Sequence, residues 1–154
     1  MRTWLAVVAI ALVSCGEKPH AETYMNFPDQ TWGVDEPVEL EFDVQDTTGR
    51  YNFMFTFRHG QAYRYSNLYI FTKLHFPNGK TLTDTLECYL ADASGRWLGK
   101  GIGDLVDHRI LLMEQAAAFP LKGKYKLTIT QAMRDDELLD VYDAGFSLEK
   151  ASHD

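Results

Sequence analysis

Polar and apolar residues alternate with a two-residue period through most of this chain. Val38, Leu40, Phe42 and Val44 are separated by Glu39, Glu41 and Asp43, so one face of the segment is apolar and the other charged. That is the pattern of a half-buried β-strand. Asp46-Thr47-Thr48-Gly49 supplies turn residues, which favour tight backbone geometry. Beyond it Tyr51, Phe53, Phe55 and Phe57 alternate with Asn52, Met54, Thr56 and Arg58. So heavy an aromatic face predicts a second strand laid against a core. Leu68, Ile70, Leu74 and Phe76 predict a third, with Thr72 as the polar exception. Pro77-Asn78-Gly79-Lys80 then predicts a hairpin, because Asn-Gly tolerates the positive φ of a tight turn. On the return strand Leu82, Leu86, Cys88 and Leu90 share one side, while Thr81, Thr83, Thr85 and Glu87 share the other. Asp84 interrupts the apolar side, as at a bulge or a sheet edge.

The segment from Ile110 to Phe119 reads as a strand, although Met113 to Ala118 has helical propensity. Tyr125, Leu127 and Ile129 alternate with lysines and threonines, and Ala144, Phe146 and Leu148 close the series. Strands with spaced turns and no long helix predict an all-β fold. We expect a two-sheet antiparallel β-sandwich over 31–150, immunoglobulin-like or jelly-roll-like. A chain of 154 residues is long enough for one core and too short for two ordinary domains.

The amino terminus departs from this pattern. Met1 and Arg2 precede an almost unbroken apolar run from Trp4 to Val13, and Leu12-Val13-Ser14-Cys15 follows it. A charged start, a short apolar stretch and small residues describe a secretory signal, here 1–14. The run is about half the ~20 residues that a spanning helix needs. Leu three residues before Cys15 and Ser just before it resemble a bacterial lipobox. In lipoproteins of that kind the cysteine is acylated and becomes the new amino terminus. Residues 15–30, polar and broken by Pro19 and Pro28, then read as a flexible tether. Gly16 rather than aspartate follows the cysteine, which makes the outer membrane, facing the periplasm, the default location.

Charge narrows the partners. The formal net charge is −7, and loss of Arg2 with the signal makes the chain more acidic still. Nucleic acid is drawn to clusters of Lys and Arg, so it is not an expected partner. With Cys15 acylated, Cys88 has no internal partner, and its place among leucines suits a small buried hydrophobe.

Catalytic motifs are not apparent. His20, His59, His75, His108 and His153 show no close metal-ligand spacing and read as surface or capping residues. Gly99-Lys100-Gly101-Ile102-Gly103 lacks the ending of a phosphate loop and reads as a mobile or sharply turned connection. Asp135-Asp136-Glu137 reads as a solvated acidic loop. Two features suit binding. Tyr63, Tyr65, Tyr69 and Phe71 form an aromatic cluster, and Ala91 to Asp107 reads as a long glycine-rich loop carrying Trp97. Candidate partner-binding residues are Arg96, Trp97, Leu98, Lys100 and Tyr65.

Several ordered blocks resemble one family. They are Tyr65-Ser66-Asn67-Leu68, Phe76 to Thr81, Asp84 to Glu87, Gly95-Arg96-Trp97-Leu98-Gly99-Lys100-Gly101, Phe119-Pro120 with Gly123-Lys124-Tyr125, and Gln131-Ala132-Met133-Arg134. Together with Cys15 they are similar to the gliding-motility lipoprotein family GldH, over about residues 24 to 148. The resemblance implies a cell-envelope lipoprotein of Bacteroidetes, needed for gliding and linked to the type IX secretion machinery. It implies no catalytic residues, no metal, no cofactor beyond the lipid on Cys15, and no small-molecule substrate. Docking onto envelope proteins is the leading expectation. A carbohydrate-binding lipoprotein of a glycan-uptake system, stacking sugars on Tyr63, Tyr65, Tyr69 or Trp97, is the alternative.

Overall fold

The computed structural model describes residues 18–113 and 116–151. The expected signal peptide, the expected lipidation site Cys15 and His153 lie outside the described residues. Among the described residues the elements are strands. In chain order they are β1 (Ala21–Asn26), β2 (Thr31–Gly33), β3 (Val38–Val44), β4 (Arg50–Gly60), β5 (Asn67–His75) and β6 (Thr81–Tyr89). Then come β7 (Lys100–Ile102), β8 (Leu105–Leu111), β9 (Ala117–Ala118), β10 (Gly123–Gln131), β11 (Glu137–Leu139) and β12 (Val141–Lys150).

One sheet runs β1-β12-β4-β8-β7, with β9 paired to the start of β4. The second runs β3-β10-β5-β6, and β2 pairs β11 in a small ribbon. All pairings are antiparallel. The protein is therefore a two-sheet antiparallel β-structure, as the alternation implies. The periodic segments at 38–44, 51–58, 68–76, 82–90, 124–130 and 144–148 fall on β3, β4, β5, β6, β10 and β12.

Three expectations are corrected. The tether does not extend to residue 30: β1 lies inside it, pairs β12 from Ala21↔Leu148 to Asn26↔Asp143, and leads to buried Phe27. A strand with only three half-buried positions carries too little apolar content to stand out in the sequence. The strand expected across 110–119 forms earlier, as β8, leaving β9 as a two-residue contact. That shift also places β7 and the start of β8 inside the loop expected at 91–107. The hairpin at Asn78-Gly79 is present, but with three loop residues. Gly79 N–H donates to the Phe76 carbonyl, Phe76 N–H to that of Lys80, and Gly79 sits at φ +81°. This is the turn-plus-bulge hairpin in which glycine relieves the left-handed backbone.

The core is aromatic. Inward faces of β4 and β12 supply Phe53, Phe55, Phe57 and Phe146, and β3 and β10 supply Phe42 and Tyr125. Phe119, just after β9, lies 5.2 Å from Phe42 and 4.9 Å from Tyr125 on one sheet. It also lies 5.5 Å from Tyr51 and 5.8 Å from Phe53 on the other, so it joins the two layers. Tyr125 is itself anchored: its hydroxyl donates to the Leu121 carbonyl at 2.9 Å and accepts from Leu121 N–H at 3.2 Å. This is a tyrosine corner, which fixes how the chain turns into a late strand of a sandwich. Trp32 closes one end, fully buried, stacked on Phe27 and donating from Nε1 to the Glu36 carbonyl at 2.8 Å.

Register predicts mutational cost. Leu40→Ala on the buried face of β3 should lower unfolding free energy by about 2–5 kcal/mol, whereas Glu41→Ala on the exposed face should stay within about 0.5 kcal/mol. Urea denaturation of both variants checks this; equal costs would contradict the register.

Candidate functional site

Loop 90–99 is a built structure. Leu90 and Ala91 N–H groups both donate to the Ser66 carbonyl, and Leu98 N–H donates to that of Leu90. Asp92 caps the turn. Its Oδ1 accepts from Ser94 N–H at 2.9 Å, Ser94 Oγ at 2.6 Å and Arg96 N–H at 3.1 Å, while Oδ2 accepts from Arg96 Nε at 3.1 Å. These bonds, chiefly from the Ser94 hydroxyl, hold the Asp92 carboxyl below its usual range. Gly95 takes φ +83° inside the turn.

Beyond this turn side chains alternate. Trp97 turns inward, donates from Nε1 to Gln61 Oε1 at 3.0 Å, and meets the His59 ring edge-on at 4.5 Å. Gly99 also turns inward. A Cβ there would stand 2.7 Å from the Asp107 carbonyl oxygen and 2.9 Å from His108 Cε1, so only glycine allows the approach. Arg96, Leu98 and Lys100 are exposed. Of the expected partner-binding residues, then, these three are available. Trp97 and Tyr65 are half-buried and engaged, Tyr65 through its hydroxyl to the Asp135 carboxylate.

His59 and His108 are not surface residues, contrary to expectation. They are 0% and 3% exposed, with their Nε2 atoms 3.0 Å apart. His59 sits at the end of β4 and His108 in mid-β8, both on the core side; His59 continues the alternation of Tyr51, Phe53, Phe55 and Phe57, and that phase was the available signal. Their hydrogen bonds fix the tautomers. The Gly60 carbonyl can only accept, so His59 Nδ1 carries a proton and donates to it at 2.7 Å. His59 Nε2 is then an acceptor, and His108 Nε2 donates to it. Burial lowers both imidazoles, His108 down to about 4 with the neighbouring His59 adding to the effect. The pair is neutral and dry, and locks β4 to β8 beneath Trp97.

Cys88 is 2% exposed, and burial pushes its thiol up to about 12, which suits a packing residue and not a nucleophile. Tyr63, from the aromatic cluster, is 4% exposed and spent on the core. Among the described residues no group of three or more His, Cys, Asp and Glu side chains is arranged to hold a metal ion.

The open surface lies on the outer face of β5 and β6. Tyr69, Phe71 and Tyr89 are exposed there at 37%, 53% and 65%. Register places Tyr69 beside Glu87 and Phe71 between Thr85 and Thr130. Glu87 accepts from Asn67 Nδ2 at 2.6 Å and from the Tyr89 hydroxyl at 3.1 Å. The Asn67 bond leads in holding its carboxyl low, and the bonds to Glu87 raise Tyr69 and Tyr89. A threonine floor continues through Thr83, Thr85, Thr128 and Thr130 around Lys73. Sequence reasoning found Tyr69 and Phe71 but missed Tyr89. Its place in phase with Thr85 and Glu87, on the outward side of β6, was the available signal.

The opposite outer face is closed by charge pairing. Asn26, Asp143, Arg58, Asp107 and Lys100 form one cross-strand row. Arg58 reaches Asp143 at 3.2 Å and Asp107 at 3.6 Å. Tyr24 lies flat over Gly145, where a Cβ would come within 2.3 Å of its ring.

Residues 20–148 match the family model described as GldH lipoprotein. The chain belongs to the GldH lipoprotein family. It is 36% identical to "Gliding motility lipoprotein GldH homolog" of Christiangramia forsetii, covering 94% of this chain and 91% of the relative. It is 31% identical to "Gliding motility lipoprotein GldH" of Flavobacterium johnsoniae, covering 95% and 94%. A solved carbohydrate-binding module specific for non-crystalline cellulose is similar at TM-score 0.47 and 10% identity, over 85% of this chain and 73% of the other.

The neutral histidine pair gives this GldH-family domain a defined acid sensitivity. The folded His108 sits below its unfolded value of 6.5, so the unfolded state binds more protons as pH falls. Stability should therefore drop between about pH 6.5 and 4, by up to about 3 kcal/mol. In His108→Gln, which keeps a donor toward His59, that part of the drop should disappear. Urea midpoints at pH 7 and 4.5 make the comparison; parallel losses in both proteins would refute it.

Proposed function

We propose that this protein is a non-enzymatic cell-envelope lipoprotein that docks onto partner proteins of the gliding-motility and type IX secretion apparatus. Acyl chains on Cys15 hold it at the outer membrane, with the sandwich facing the periplasm. The function is positional. Confinement to a surface raises the effective concentration of the domain near membrane-bound partners. The observation that carries this reading is family membership across 20–148, since the relatives are named for gliding motility. The domain's layout supports it: its chemically reactive groups are buried or paired, while Tyr69, Phe71 and Tyr89 stand free on one sheet face. Exposed aromatics of this kind are typical anchors of protein contacts. Arg96, Leu98 and Lys100 provide a second exposed patch.

A second reading has one specific support. The same aromatics flank the Glu87 carboxylate on a sheet face, an arrangement that also suits stacking and hydrogen bonding to a sugar. In this form Tyr69, Phe71 and Tyr89 replace Tyr63 and Trp97, which are taken up by internal contacts.

Two measurements test the proposal. Cys15→Ala should leave the domain folded but move it from the membrane fraction to the soluble one; a variant that stays with membranes refutes the tether. Phe71→Ala combined with Tyr89→Ala should cut co-purification of envelope partners at least about tenfold, as expected when anchor residues are lost. If partner recovery is unchanged while calorimetry detects saturable glycan binding that these substitutions remove, the carbohydrate reading replaces docking.

A further inference from the structure

An apolar cleft of about 410 Å³ opens between the layers at one corner of the sandwich. Leu74, Leu82 and Leu86 form one wall, Leu112 and Met113 the other, and Phe119 closes the floor. The corner is open because the first sheet is short there. Beside the start of β4 it offers, among the described residues, the two residues of β9, and no described strand faces the ends of β5 and β6 opposite. Leu82 is consequently 60% exposed and Met113 48%. The volume falls within the ~300–1,000 Å³ typical of ligand sites. Its polar groups, Thr72 and Asp84, lie on one wall, so the space suits a long saturated chain and not a polar solute.

Two other occupants fit less well. A protein strand added to the free edge of β6 would need its outward N–H groups, and that of Thr85 is already taken by Asp84 Oδ1 at 2.8 Å. A second copy paired through β6 would need the same N–H groups.

The chain enters the fold at the same end of the sandwich as the cleft, along the β1/β3 edge and across the core from the β6 edge. His20 N–H donates to the Leu148 carbonyl at 2.7 Å, and His20 Nε2 bonds the Asp43 carbonyl at 2.9 Å. The His20 ring packs on Tyr51 at 5.2 Å, and Tyr51 packs on Phe119, the floor of the cleft, at 5.5 Å. Two ring contacts thus separate the entry point from the cleft. The five residues back to Cys15 can reach about 17 Å, and an acyl chain adds its own length.

We propose that one acyl chain carried by the protein's own Cys15 lies in this cleft, an inference that rests on the lipidation reading above. A methylene is removed from water as well in such a cleft as in a bilayer core, so the exchange costs little. The remaining chains stay in the membrane. With one chain clamped, the cleft turns toward the bilayer and the domain is held in one orientation, leaving the aromatic face of β5 and β6 to meet partners.

The test uses the full chain, acylated in cells fed a palmitic-acid analogue bearing a diazirine, then irradiated in membranes. Mass spectrometry of the amino-terminal peptide reports acylation, and mapping reports where the attached chain has crosslinked. Crosslinks to peptides containing Leu82, Leu86 or Met113, reduced at least fivefold in Leu86→Trp, support the proposal. Leu82→Asp, at an exposed position that does not threaten folding, should reduce them likewise. Crosslinks confined to bilayer lipids, or unchanged in both variants, overturn it. Labelling of the cleft by the free analogue in Cys15→Ser, without labelling from the attached chain, overturns the protein's own lipid as the source. An unacylated amino-terminal peptide defeats the lipidation reading itself, and the proposal with it.

Discussion

Phe119 is the contact on which the two layers depend. It touches Phe42 and Tyr125 of one sheet and Tyr51 and Phe53 of the other, within 6 Å in every case. Aromatic pairs at such distances add to the burial of their large surfaces. Because Phe119 belongs to a connection and not to a long strand, the sheets are joined there by one ring and the tyrosine corner below it. Among the described residues the corner beyond that ring is left unfilled, and the cleft lies there.

Removal of reactive chemistry to the interior follows from the same packing. The imidazoles of His59 and His108 satisfy each other and the Gly60 carbonyl, and the Cys88 thiol is enclosed by apolar neighbours. Buried polar groups without partners are costly, and His59 Nδ1, His59 Nε2 and His108 Nε2 are paired within the fold. Trp97 is held over the histidines by Gln61, so the loop that bears it is rigidly seated. What faces outward from that loop is Arg96, Leu98 and Lys100.

The two outer faces consequently differ in kind. On one, Arg58 sits between Asp107 and Asp143, and Arg109 bonds the Glu149 carboxylate at 2.6 Å. Charges matched within the sheet have little left to offer a partner. On the other, Tyr69, Phe71 and Tyr89 remain exposed above threonines. Family membership assigns the protein to the GldH lipoproteins, and the proposed docking face is the one left unpaired by this asymmetry.

Strand periodicity, read along the chain, determined which side of β3, β4, β10 and β12 would be buried, because a two-residue period leaves each side chain only two directions. Turn chemistry marked the hairpin at Asn78-Gly79. Short strands such as β1 and β11 were not legible, since three or six residues form a strand only when a partner supplies the hydrogen bonds. Which aromatics are free was equally a tertiary outcome. Tyr63 and Tyr69 belong to the same sequence cluster, yet one lies beneath the Trp97 loop and the other on an open face. Only long-range pairing brings residue 59 against 108 and residue 119 between the sheets, and burial is decided by those contacts.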